Sequence, residues 1–363
     1  VLVDLHAHYP MHLQPGGRQL THERLVQWEK EWLRALVVRK LSPEFNYEDG
    51  EPGVTLAEMA QGDVGVILSP LYSPFDEMDF TRWYGSKPLP AYFTDLLDQL
   101  ELVENDIEER AGGDPKATIA HSPAELEQAL ARGERVLIHA VEGGFHLGDE
   151  EEEVRDHVRE LAERGVAYIT VAHLFWRGIA TNAPALPFMP DWLYNRLFPQ
   201  PRDVGLSSLG CAAVEAMVDH GVLVDITHMS ECAACETLDL LDRRDPLRRV
   251  PVIATHMACR LTAAELPQTP VSSFPKQFEY NLSDAVIRRV AQRNGLLGLI
   301  ACKHYISGGA SPGPERPEQS FALMRAHIDH LARLGAAHCI AFGSDLDGYI
   351  KPALPGLQRL GEM

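Results

Sequence analysis

The chain has 363 residues, 45% of them hydrophobic and 23% charged, which excludes wholesale disorder and collagen-like repeats and marks a globular protein. Its 33 basic and 52 acidic residues give a formal net charge of −19. Such a surface repels phosphate backbones and anionic headgroups, so no nucleic acid and no membrane are expected as partners.

In chain order, short β-branched runs recur at Val1–Leu5, Val64–Leu71, Arg135–Val141, Tyr168–Ala172, Val222–Thr227, Val252–Thr255, Gly295–Ala301 and Cys339–Gly343. They are continuous rather than alternating, the signature of strands buried on both faces of a parallel sheet. Most are followed by a helical pattern, clearest at Glu151–Arg164 and Ser207–His220. Eight such units predict an α/β fold, a (β/α)₈ TIM-type barrel. The rival is a doubly wound open sheet, and no G-x-G-x-x-G follows any run to favour it. The length fits one barrel domain over 1–363, with insertions around 12–63, 73–123, 175–201 and 263–279 at the C-terminal ends of strands. The first contains an amphipathic stretch, Glu23–Lys40, and the second is mostly helical. No full eighth helix is legible after the last run.

Polar residues mark the ends of these runs. His6 and His8 close the first (DLHAH), Glu142 the third, His173 the fourth, His228 the fifth, His256 the sixth and Asp345 the last. In a barrel all strand C-termini share one face, so these residues converge. His6 and His8, two apart on a strand, point to the same side. Imidazole and carboxylate together suit zinc and similar ions. Four histidines and a glutamate exceed one tetrahedral site, and a carboxylate can bridge two ions ~3.5–4 Å apart. The expectation is therefore a binuclear site of two divalent ions, zinc foremost, bridged by Glu142.

Other polar residues carry less. His139 reads as packing or as a support to the site, His146 as structural, and His157, His327 and His330 as surface or helix residues. Asp4 and Asp225 read equally as residues that orient imidazoles or as polar residues near the barrel floor. Cys232-Ala-Ala-Cys235 lies in a helical stretch with no second such pair, so it reads as ordinary helix. Six cysteines are too sparse to staple the chain, and with no visible signal peptide they point to a cytoplasmic setting. No G-x-S-x-G nucleophile elbow, with its Ser on a sharp turn from a strand into a helix, is legible, and no H-E-x-x-H or Walker A motif occurs.

The motifs resemble the amidohydrolase superfamily and, within it, the membrane (renal) dipeptidase family, peptidase family M19. The resemblance rests on DLHAH at 4–8, VEGG at 141–144, AHLFWRGIATN at 172–182, DITHMS at 225–230, THMACR at 255–260 and GSDLDG at 343–348. It implies that His6 and His8 hold one zinc, that Glu142 bridges, and that His228 and His256 hold the second. It also implies that His173 contacts substrate and stabilises the tetrahedral intermediate, and that Asp345 shuttles the proton, with Asp347 as a lesser substitute. A hydroxide bridging the ions would attack the amide bond of a dipeptide or related small-molecule amide. A homo-oligomer is a further implication of the resemblance.

Two departures stand out. The family usually has H-x-D on strand one, where this chain has His6-Ala7-His8. The family also places an Arg before an Asn-Leu pair to bind the substrate carboxylate, where this chain has Tyr280-Asn281-Leu282. A phenol cannot pair with a carboxylate as a guanidinium does. Arg260 and Lys276 are the candidate replacements, and His173, Asn182, Arg260 and Tyr280 are the candidate substrate contacts. Two other readings stand beside dipeptide hydrolysis. One is hydrolysis of N-acyl amino acids, lactones or phosphoesters; the other is a non-catalytic barrel acting as a binding module.

Overall fold

The computed structural model describes residues 1–13, 52–77, 84–110, 112–186, 189–262, 264–266, 279–309, 313–348 and 353–363. Glu23–Lys40, Lys276 and most of 263–279 lie outside the described residues. Among the described residues nine parallel strands form one sheet: β1 (Leu2–Asp4), β2 (Val64–Leu71), β3 (Ala117–Ile119), β4 (Arg135–Glu142), β5 (Tyr168–Thr170), β6 (Leu223–Asp225), β7 (Val252–Met257), β8 (Leu296–Leu299) and β9 (Ile340–Phe342). The order β1-β2-β4-β5-β6-β7-β8-β9 is nearly closed into a barrel. Leu5 N–H donates to Phe342 C=O at 2.9 Å, and Ala7 bridges Leu346 in parallel register, so β9 returns to β1. The expected (β/α)₈ arrangement is the observed one.

β3 is an addition that the sequence reading lacks. Its three residues lie in the 73–123 insertion and pair with the start of β4 (Ala117↔Arg135), ahead of the point where β5 joins it (Val141↔Ile169). Three residues are too few to show a period. The same insertion holds the long helix Ala91–Glu109, as its pattern suggested.

The strand runs are continuous because both faces are covered, and every residue of β7 is buried. Outside them pack helices started by serine caps. Ser122, Ser207, Ser230 and Ser283 each accept the backbone N–H three residues on. Inside the barrel, Ala140, Tyr168 and Ile253 form a small cluster with Leu68 and Leu223 against it, drawn from five strands. Tyr168 is the polar-tipped member, and its ring lies 6.2 Å from that of His6, centre to centre. Close approach of β8 and β9 to β7 requires glycine: a Cβ on Gly298 or Gly343 would lie 1.9 or 1.8 Å from Thr255 O. Among the described residues no α-helix follows β9. Instead Leu360 N–H donates to Gly53 C=O (3.0 Å) and Arg359 pairs with Glu58 (3.1 Å), packing the 3₁₀ turn Leu360–Glu362 on helix Leu56–Gln61.

Candidate metal centre

Two aspartates shape the strand ends that carry histidines. Asp4 Oδ1 accepts His6 N–H at 3.0 Å and Ser344 N–H at 2.9 Å, joining the β1 and β9 ends. Asp225 Oδ1 accepts Thr227 N–H at 3.0 Å and Thr255 N–H at 3.1 Å, joining β6 and β7. These are Asx turns, in which a short carboxylate takes the N–H two residues on. Neither aspartate touches an imidazole; each fixes the backbone that carries one. Burial pushes the Asp4 carboxyl up to about 6, against the bonds from Ser344 and His6. His228 (φ 66°) and Asp345 (φ 58°) are left-handed, a conformation that costs a non-glycine residue roughly 1–2 kcal/mol. Packing and the turn bonds hold that strain at the site.

The seven predicted residues converge, and all are buried. His6 Nε2 lies 3.1 Å from His8 Nε2, and His228 Nε2 lies 3.0 Å from His256 Nε2. Glu142 sits between the pairs. Its Oε1 is 3.2 Å from His6 Nε2, 3.5 Å from His256 Nε2 and 3.8 Å from His228 Nε2, while its Oε2 is 3.6 Å from His8 Nε2. Asp345 Oδ1 lies 3.2 Å from His8 Nε2 and 3.9 Å from His6 Nε2. Three donor groups result, each with its atoms within 4.8 Å: His6–His8–Glu142, Glu142–His228–His256 and His6–His256–Asp345. The first two share Glu142.

The partners behind the rings decide which nitrogen faces the centre. Tyr168 O–H donates to Leu5 C=O (3.1 Å), so at 2.7 Å it accepts from His6 Nδ1–H. Thr255 O–H donates to Asp225 Oδ2 (2.7 Å), so at 2.9 Å it accepts from His256 Nδ1–H. Both rings therefore turn an Nε2 lone pair inward, as metal-ligating histidines do when a second partner fixes the tautomer. Burial, then neighbouring imidazoles, hold His228 and His256 well below the ordinary histidine range, so both are neutral near pH 7. Burial also opposes the Glu142 charge, but cationic neighbours, His173 foremost, outweigh it and keep the carboxyl well below its usual range. Glu142 Oε1 is buried and accepts no hydrogen bond of good geometry. Facing lone pairs around an orphaned carboxylate oxygen fit a cation and little else.

His173 stands at the edge of this cluster, its Nε2 3.4 Å from Glu142 Oε2. Its Nδ1 meets Glu77 Oε2 at 2.6 Å. Burial would lower the His173 pKa; Glu142 and Glu77 outweigh it and raise it to about 9. Glu77, Tyr168 and Thr255 are the site residues that the sequence reading missed. The available signal for Glu77 was an acidic pair, Asp76-Glu77, just past a strand end and beside aromatic residues.

The predicted substrate contacts sit differently. Tyr280 is buried, donates its hydroxyl to His256 C=O, and packs 5.1 Å from the His228 ring and 4.1 Å from Tyr305. Arg260 is half-exposed and committed: Nε to Asn281 C=O (2.6 Å), one terminal nitrogen to Glu279 C=O (3.1 Å) and the other to Glu231. Asn182 gives its amide to Leu174 C=O (2.9 Å), Ala183 C=O (3.1 Å) and the Tyr194 hydroxyl (2.8 Å), tying its own loop together. Asp347 accepts Gly53 and Val54 N–H at 3.0 and 2.8 Å. His139 turns away from the cluster toward Glu104, 3.7 Å off. His146 joins Gly143 C=O (2.8 Å) and Ser73 N–H (3.3 Å), and burial pushes it down to about 4.

A family model described as membrane dipeptidase (peptidase family M19) matches residues 1–359, a span holding every residue of the cluster. The chain belongs to this family. Dipeptidase tcpJ of Claviceps purpurea is 24% identical over 305 residues, 81% of this chain and 58% of that protein. The chain thus spans a little over half the length of that relative. The solved structure of dipeptidase AC, a metallopeptidase of family M19, superposes with a TM-score of 0.64 at 18% identity, covering 99% of this chain and 88% of that one. A metallopeptidase from Rhodobacter sphaeroides, liganded with a phosphinate mimic of the dipeptide L-Ala-D-Ala, gives 0.62 at 18% identity, covering 99% and 89%. At such identities these likenesses speak for the membrane-dipeptidase fold. Among the described residues no helix is long and apolar enough to cross a membrane.

Proposed function

We infer that the protein is a dipeptidase whose cluster binds two divalent ions, zinc foremost. The observation that carries this is the pair of donor groups sharing one carboxylate, His6–His8–Glu142 and Glu142–His228–His256. Membership of the membrane dipeptidase family supports the substrate class. When bound, such ions polarise an amide carbonyl and lower the pKa of water. The remaining work belongs to the chain. His173, charged and held between two carboxylates, is the donor for the negative charge that develops on the carbonyl oxygen. Asp345, at the mouth beside His8, takes the proton of the attacking water and returns it to the leaving amine.

A second reading keeps the same chemistry but moves the substrate to N-acyl amino acids or esters. Tyr280 standing where the family has its carboxylate-binding Arg, with Arg260 already committed, favours it. The two are separated by amine release from L,L- and L,D-dipeptides beside acylated amino acids, using zinc-loaded protein and a chelated control. Chelator-sensitive release from dipeptides is expected. Zinc-loaded protein that cleaves only the acylated compounds would select the second reading, and protein that cleaves neither would sink both.

A further inference from the structure

We propose that Glu77 is the positioning residue of this site, holding the His173 ring so that its Nε2 edge meets the reacting carbonyl rather than turning away. The proposal rests on the hydrolase reading above for its catalytic consequence, and on geometry alone for the contact.

Glu77 ends the short helix Pro74–Glu77, which follows β2, and its side chain is fully buried. It fastens the loop after β5 at three points. Oε2 receives His173 Nδ1–H and the Tyr72 hydroxyl, each at 2.6 Å. Oε1 receives Phe175 N–H at 2.9 Å. Its carbonyl oxygen receives the Arg177 guanidinium, through Nε at 3.0 Å and through a terminal nitrogen. Residues 173, 175 and 177 of one loop are thus gathered on a single residue of another. Edge-on rings flank the imidazole: Tyr72 at 4.6 Å and His228 at 4.5 Å, centre to centre.

Turning the His173 ring over would replace Nδ1–H by a carbon and strip a donor from a buried carboxylate, the kind of loss that folded proteins avoid. The ring is therefore held one way round, with Nδ1 on Glu77 and Nε2 beside Glu142. Glu77 touches no reacting atom in this arrangement and acts through His173.

The test compares Glu77→Gln with wild type and with His173→Gln, all zinc-loaded. Gln keeps the size and an acceptor for Phe175 but removes the charge. Expected is a fall in kcat of about 10- to 100-fold, with KM and bound metal unchanged. The double variant is expected to be no slower than His173→Gln alone, because both changes remove one function. Wild-type kcat in Glu77→Gln, a loss confined to KM or metal content, or additive losses in the double variant would each overturn the proposal. A second readout needs no turnover. In protein labelled with ¹⁵N-histidine, a strongly hydrogen-bonded Nδ1–H resonance, identified by its absence in His173→Gln, is expected far downfield in wild type and upfield of that in Glu77→Gln. A wild-type spectrum without that resonance overturns the contact. Absence of turnover of both dipeptides and acylated amino acids in wild type, with the resonance present, would refute the hydrolase reading and leave the contact standing.

Discussion

Buried histidines at the barrel mouth and on the outer helix Pro317–Arg333 use their ring nitrogens differently. At the mouth, His6 and His256 each give Nδ1–H to a hydroxyl behind them and aim Nε2 at other nitrogens and at Glu142. On the outer helix Pro317–Arg333, His327 uses both nitrogens on neutral partners: Nδ1 accepts Cys259 N–H (3.1 Å) and Nε2–H donates to Ile306 C=O (2.9 Å). His330 lies 2.9 Å from each of two carboxylates, Glu265 and Asp284. All four rings are buried. Burial therefore does not mark the site. Converging lone pairs that no protein hydrogen fills do.

The largest effect is expected when the support behind the mouth is removed. Tyr168→Phe leaves His6 Nδ1–H only the longer contact to the Thr255 hydroxyl (3.4 Å), and Thr255→Val removes the acceptor of His256 Nδ1–H. Each is expected to weaken zinc affinity by about 10- to 100-fold, read by competition with a chromophoric chelator. Unchanged affinity in both would mean that the tautomer is not set by these hydroxyls.

A smaller effect sharpens the other side. Burial pushes His327 down to about 4 from an ordinary 6.5. Between those values the unfolded chain binds a proton that the native state does not, so stability rises with pH across the window and is lost as pH falls through it. From about pH 7 to about pH 5.5, this residue is expected to account for roughly 1 kcal/mol of lost stability. His327→Gln is expected to narrow the fall in Tm between the two conditions. A fall equal to that of wild type would contradict this assignment.

Much of this was legible in the sequence, for definite reasons. Strands covered on both faces read as continuous apolar runs, so a polar residue at the end of each run stands out. That is why His6, His8, Glu142, His173, His228, His256 and Asp345 could be assembled without a structure. What supports them could not. Thr255 and Tyr168 are of types that strands use everywhere, and their role appears only when β1, β5 and β7 meet. Glu77 lies six residues beyond the end of β2, in a segment whose path no periodicity gives. His327 was readable as helical but not as buried, because the face a helix covers depends on its neighbours. Arg260 looked free to bind a carboxylate, but the structure spends it on fastening residues 279–281 to Glu231.

If Glu142 is shared between two ion sites, its loss costs the protein at least one ion. Metal content per chain, measured by elemental mass spectrometry on zinc-saturated and desalted protein, tests it most directly. Two ions are expected in wild type and fewer than two in Glu142→Ala. A single ion in wild type, or two in the variant, would contradict it.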